Sequence, residues 1–269
     1  MMAIMTIIDS TLTGVSIGTP WTFENLAVFP LLGGLTGESD YDILDAALGR
    51  GTLAVTEVSD SGHVPELTVV NRGARPVLVV DGEELVGAKQ NRTVNLSILV
   101  PANADIRVPV TCVEAGRWSM RSRRFESSPR THFAAGRAAK SRQVSQSLMA
   151  TGVPAADQAQ VWDAIASKSA RLQAPSATGA MADIFDARRA SIEDYVDAVD
   201  VDAGQVGAVF VLDGQPMGID LFDTAPTLRA LGDLDDLLDS FAAIRPVEMT
   251  VSGEALERLL DDFGTLRGV

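Results

Sequence analysis

The sequence predicts an α+β protein, and three observations carry that expectation. The first third alternates short apolar runs with Gly, Pro, Asn and Asp turn signals. The middle is Ala-rich with apolar residues at helical spacing, and the last third alternates again. The chain reads as a single domain over residues 1–269, with a β-rich portion 1–130, a helical portion 131–200 and an α/β portion 201–269 packing back on the first.

In order, strands are expected at 26–32, 52–58, 66–71, 76–80, 84–88, 93–100 and 108–114, forming a largely antiparallel N-terminal sheet. A short helix at 40–48 follows from the recurrence of Ile43, Leu44, Ala47 and Leu48. Asp81-Gly82 is a hairpin signal, since that turn needs positive φ at both central residues, and it starts a strand at Glu83 and Glu84. Helices are expected at 134–150, 154–172 and 181–199, punctuated by Pro154 and Pro175, with a loop at 173–179. Strands at 206–212 and 217–222 flank Asp213-Gly214; helices at 227–231 and 234–243, a strand at 247–251 and a helix at 253–263 complete the chain. Asp233 to Asp239, DLDDLLD, reads as the solvated face of a helix.

Hydrophobic residues at 46% and charged residues at 22% supply a core and exclude wholesale disorder. A net charge of -14 argues against nucleic acid as a partner, because a phosphate backbone is repelled by such a surface. The opening MMAIMTIIDSTLTG lacks the positive region of a signal peptide, and no segment offers the roughly 20 apolar residues of a membrane span, so no membrane partner and a cytoplasmic location are expected. The single cysteine, Cys112, forms no intramolecular disulfide and reads as a buried strand residue. Zinc is disfavoured because His63 and His132 lie far apart, and the sequence leaves the cofactor open. Neither GLTGES nor GTLAVTE has the spacing of a phosphate-binding glycine loop.

Two polar segments break the apolar pattern: DGEELVGAKQNRTVN at 81–95 and EAGRWSMRSRRF at 114–125. If 84–96 is extended, Glu84, Val86, Ala88, Gln90 and Arg92 share one face, while Glu83, Leu85, Gly87, Lys89, Asn91 and Asn95 share the other. From Arg107 to Arg142 there are nine basic residues and two acidic ones; from Met181 onward the balance is six to nineteen. The basic segment favours a small anion. Arg92, Arg117 and Arg121 are the candidate anion anchors, since a guanidinium fork grips phosphate or carboxylate in two places. Trp118 offers a stacking face, Lys89, Gln90 and Asn91 orient a ligand, and Glu84 or Glu114 is the candidate acid or base, or a holder of hydrated magnesium.

The strings DGEELVGAKQNRTVN, CVEAGRWSMRSRRF, GTPWTFENLAVFPLL and VFVLDGQPMGIDLFDTAPTL resemble the ADP-ribosylglycohydrolase- and rhodanese-phosphatase-associated protein domain family over nearly the whole chain. Gly87, Lys89, Gln90, Asn91 and Arg92 match G-x-K-Q-N-R, and Glu114, Gly116, Arg117 and Trp118 match E-x-G-R-W. That bacterial family is linked by gene association to NAD and ADP-ribose metabolism, so the resemblance implies binding of, or enzymatic action on, a phosphorylated or ADP-ribose-like ligand. The alternative is a noncatalytic interaction module, such as a homodimer in which acidic and basic segments pair.

Overall fold

The computed structural model describes residues 14–35 and 37–231. The strands in chain order are β1 (Ser16–Ile17), β2 (Trp21–Phe23), β3 (Leu26–Leu32), β4 (Asp42–Ile43), β5 (Leu53–Glu57), β6 (Glu66–Asn71) and β7 (Val77–Val79). They continue with β8 (Glu83–Gly87), β9 (Arg92–Val94), β10 (Ile98–Val100), β11 (Asp105–Cys112), β12 (Phe125–Thr131), β13 (Gln205–Leu212) and β14 (Gln215–Leu221). The helices are α1 (Leu44–Gly49), α2 (Ala134–Thr151), α3 (Gln158–Leu172), α4 (Met181–Val196) and α5 (Ala225–Ala230). The protein is α+β, and its contacts gather into two compact units. The larger spans Asp40–Glu193; the smaller takes the described residues up to Ser39 and from Asp194.

The larger unit is built on a closed barrel in the order β11-β6-β5-β12-β8-β9, all neighbours antiparallel. Period-2 alternation explains it: in β6, Leu67, Val69 and Asn71 are buried while the residues between them are half-buried. Leu53, Val55, Leu67, Val69, Leu85, Val94, Val108, Val110 and Phe125 fill the interior, each worth roughly 1.5–3 kcal/mol of apolar burial. A small sheet, β10-β7-β4, and helix α1 extend this core. On the outside, Asp157 caps α3 by accepting from the amides of Ala159 and Gln160. Gln158 then clamps β11, its Oε1 accepting from the Cys112 amide at 2.9 Å and its Nε2 donating to the Cys112 carbonyl at 2.8 Å. The side chain takes the place of a neighbouring strand.

The smaller unit is a sheet in the order β1-β3-β13-β14, with β2 also on β3. The C-terminal strand β13 is buried along its whole length and lies between β3 and β14. Asp213 and Gly214 both have positive φ, 49° and 73°, and close the β13–β14 hairpin. The Asp213 carboxylate accepts from Asn25 Nδ2 at 3.1 Å.

Several expectations need correction. Asp81-Gly82 does not close a hairpin: β7 pairs with β10 and β4, β8 pairs with β9 and β12, and of the two residues only Gly82 has positive φ. The strand expected at 93–100 divides into β9 and β10, which join different sheets. The extended reading of 84–96 fails at Gly87 and Ala88, whose φ values of 125° and 38° reverse the chain into a β8–β9 hairpin, so the proposed two faces do not exist. β12 was not anticipated. Helix α3 begins at its Asp157 cap rather than at Pro154. The elements expected at 234–243, 247–251 and 253–263, and the run Asp233 to Asp239, lie outside the described residues. Among the described residues no helix is long and apolar enough to cross a membrane.

Candidate functional site

The barrel register brings the ends of β5, β8 and β11 and the starts of β6, β9 and β12 to one mouth. Alternation that points Val55, Val94 and Val110 inward also points Glu57, Arg92 and Cys112 inward, so the apolar core ends there in polar groups. The connections 58–65, 88–91 and 113–124 leave from this mouth, and the two polar segments of the sequence meet on it.

One part of the mouth is wired through all but one of its polar groups, the Arg117 Nε. The Arg117 Nη1 donates to the carbonyls of Ala88 at 2.8 Å and Ser119 at 3.0 Å. Its Nη2 donates to Glu114 Oε2 at 2.6 Å, Asn91 Oδ1 at 3.1 Å and the Gly87 carbonyl at 3.2 Å. Glu114 also accepts from the Asn91 amide at 3.1 Å and the Thr178 hydroxyl at 3.0 Å. Asn91 Nδ2 donates to Glu84 Oε1 at 3.3 Å, and Glu84 Oε2 accepts from Ser128 at 3.1 Å with Arg130 at 3.6 Å. Gly87 makes this approach feasible: a Cβ there would stand 2.6 Å from Ser122 Oγ and 2.9 Å from the Arg124 carbonyl.

The other part is not wired. Arg92, fully buried, uses Nη1 on Gln90 Oε1 at 3.1 Å and the Asn91 carbonyl at 3.4 Å. Its Nε and Nη2 have no hydrogen-bond partner, and neither has either oxygen of Glu57, although Nη2 and Glu57 Oε1 stand only 3.8 Å apart. Gln90 is itself held by donating to the Glu114 carbonyl at 2.9 Å.

Trp118 covers the mouth. Arg92 lies 5.8 Å and Lys89 5.3 Å from its ring centre, and Lys89 donates to the Ser61 carbonyl at 2.7 Å. A Cβ on Gly62 would meet the indole at 3.1 Å, so the 58–65 connection also lies against Trp118. Trp118 remains half exposed at 50%, as does Met120 two residues on at 54%. Arg121 is 63% exposed, 4.0 Å from Glu114, its amide bonded to the Ala88 carbonyl.

Protonation divides the two expected acid/base residues. Burial pushes Glu84 up to about 7, only partly offset by Arg130, Ser128 and Asn91. Burial also pushes Glu114 upward, but the Arg117, Asn91 and Thr178 hydrogen bonds outweigh it and hold the carboxyl below its usual range. Both are buried behind Asn91. Burial raises the Cys112 thiol, which leaves it a poor nucleophile.

Eight of the nine expected residues gather at this mouth in unequal positions, and Glu84, on the outward face of β8, is joined to them through Asn91. Glu84, Glu114, Asn91 and Arg117 are joined inside the wall. Gln90 braces Arg92, while Lys89, Trp118 and Arg121 form the rim. Glu57, Ser128, Arg130 and Thr178 were missed. For Glu57 a signal existed, since LAVTE places an acid in phase with two core residues. At the opposite end, Lys140 is fully buried and pairs with Asp81 at 2.5 Å and with the Val94 carbonyl. Burial, with Lys140 nearby, pulls His132 down to about 3. Among the described residues, no group of three or more His, Cys, Asp or Glu is placed to hold a metal ion.

These features define a class: an α+β protein whose central barrel is apolar within and carries a buried, partly unfilled polar cluster at one mouth. A family model for the ARG and Rhodanese-Phosphatase-superfamily-associated Protein domain, ARPP-1, matches residues 14–255, and the chain belongs to that family. No curated protein and no solved structure matches the chain.

Proposed function

We propose that this protein binds a small phosphorylated metabolite of the ADP-ribose or NAD type at the barrel mouth, in the cytoplasm. The observation that supports this reading is the concentration of unfilled polar groups. Of the eight buried side-chain nitrogen and oxygen atoms lacking a hydrogen-bond partner among the described residues, five belong to Glu57, Arg92 and Arg117. Buried polar atoms are nearly always paired, so such a concentration calls for an occupant. Trp118 supplies a face for a base, Lys89 and Arg121 supply charge at the rim, and Arg92 supplies a fork within. Arg117, with its Nη atoms committed inside the protein, acts as a strut rather than an anchor. The reading assigns binding and no turnover, since Glu84 and Glu114 are both buried and engaged within the protein.

Thermal unfolding against ADP-ribose, NAD, AMP and inorganic phosphate, with and without magnesium, tests it. A ligand at one hundred times its dissociation constant stabilises by about 2.7 kcal/mol. Trp118→Ala should weaken nucleotide binding by roughly 1–3 kcal/mol, the usual worth of a base stacked on an aromatic ring. Absence of a shift with every ligand would overturn the reading. A homodimer through the same loop is the second reading, favoured by the exposure of Trp118 and Met120 beside Arg121; sedimentation of the parent and Arg121→Glu distinguishes it.

A further inference from the structure

The free atoms of Arg92 are not a random pair. Nε and Nη2 form the side-on edge of the guanidinium, where two N–H groups point the same way and grip two oxygens of one phosphate or carboxylate. Nη1 is tied to Gln90 and the Asn91 carbonyl, so the orientation of that edge is fixed. Facing it is Glu57, with two free acceptor oxygens. The separation of 3.8 Å exceeds the 2.7–2.9 Å or so of a charge-assisted hydrogen bond. Two donors and a carboxylate thus stand as a stretched, desolvated ion pair with no hydrogen bond between them, the Cys112 thiol also acting on the guanidinium. The Cys112 thiol, buried on β11 opposite Arg92 in register, bounds the gap on one side, and Trp118 covers it on another.

The charges of this pair cancel. A bare anion at the Arg92 edge would be repelled by Glu57, and a bare cation at Glu57 would be repelled by Arg92. The ligand that satisfies both brings an oxyanion and, next to it, hydroxyl groups that donate to a carboxylate. We infer that Glu57 is a specificity residue that restricts the mouth to sugar phosphates, with Arg92 gripping the phosphate oxygens and Glu57 accepting from sugar hydroxyls. This deepens the proposed function and rests on it. It also assigns a task to a residue that belongs to neither polar segment.

Isothermal titration of the full chain with ribose 5-phosphate, ethyl phosphate and inorganic phosphate tests the inference. Ethyl phosphate carries the same charged group without hydroxyls. The parent should prefer ribose 5-phosphate over ethyl phosphate by at least about tenfold, the effect of leaving a buried acceptor unpaired. Glu57→Gln should bring that ratio towards one and tighten ethyl phosphate, because the repelling charge is gone. Glu57→Asp, which keeps the charge but withdraws it, should give an intermediate ratio and guards against a folding artefact. Arg92→Lys should weaken both esters about equally. An unchanged ratio in Glu57→Gln, or a parent that does not distinguish the two esters, overturns the inference. ADP-ribose binding that depends on Trp118 but not on Glu57 would overturn it while leaving the proposed function standing; if no phosphorylated ligand binds at all, both fail.

Discussion

Arg117 and Arg92 are both buried, both belong to the barrel mouth and both stand beside a buried carboxylate, yet their surroundings differ. Arg117 meets Glu114 at 2.6 Å and shares its Nη protons with three carbonyls and Asn91. Arg92 stands 3.8 Å from Glu57 with half of its fork empty. The first arrangement holds three chain segments together. The second is a stretched ion pair whose guanidinium edge and carboxylate make no hydrogen bond to each other. The same side chain ties segments together in one place and, on the proposed function, receives a ligand in the other.

The strongest way to break this contrast is Arg117→Met, which strands Glu114 in the interior. Loss of one partner from a buried ion pair should cost about 3–5 kcal/mol, read from the urea midpoint. A loss below about 1 kcal/mol would show that the wiring is not structural. The next effect concerns Glu84. Folded, burial lets it hold its proton up to about pH 7; unfolded, it releases it near the ordinary 4.5. The native state therefore binds more protons across that window, and Glu84's contribution to stability falls as pH rises through it. Glu84→Gln removes this dependence, so variant minus parent stability should grow by about 3 kcal/mol between pH 4.5 and 8. A constant difference would place Glu84 at an ordinary pKa. The smallest effect sharpens the contrast from the other side. Glu57→Gln combined with Arg92→Met replaces two unsatisfied charges and should stabilise the unliganded protein by about 1–2 kcal/mol while abolishing ligand binding. Net destabilisation would mean that this pair, too, supports the fold.

Much of the architecture was legible where one face of a strand is buried. β6 matches expectation because its alternation is unbroken, and β3 because it is apolar throughout and buried on both faces. β12, FESSPRT, was not legible: it buries Phe125, Ser128 and Thr131, spaced by three, and its register shifts between Ser127 and Thr131. Barrel closure makes it a strand, and its own sequence does not. The two Asp-Gly pairs teach the same lesson. Asp213-Gly214 closes a hairpin because the adjoining strands pair with each other. At Asp81-Gly82 the Asp81 carboxylate is engaged by Lys140 from α2, and the flanking strands belong to different sheets. In the site, both motifs were visible as breaks in an apolar pattern. What was not visible is that Asn91 and Arg117 tie them together, nor that Glu57, more than thirty residues upstream of Arg92, faces it across the barrel.

The barrel wall is not equally fastened all round. β5 and β12 meet through one residue pair, Val55 with Phe125, whereas β5 and β6 share five. Glu57 lies two residues beyond Val55, and Gly87 is aligned with Phe125, so the Arg92–Glu57 pair adjoins the loosest join in the wall. Local opening follows the line of fewest cross-strand bonds. The wall beside Glu57 is thus where local opening should begin, while the hydrogen bonds of Arg117 tie the 88–91 and 113–124 connections together.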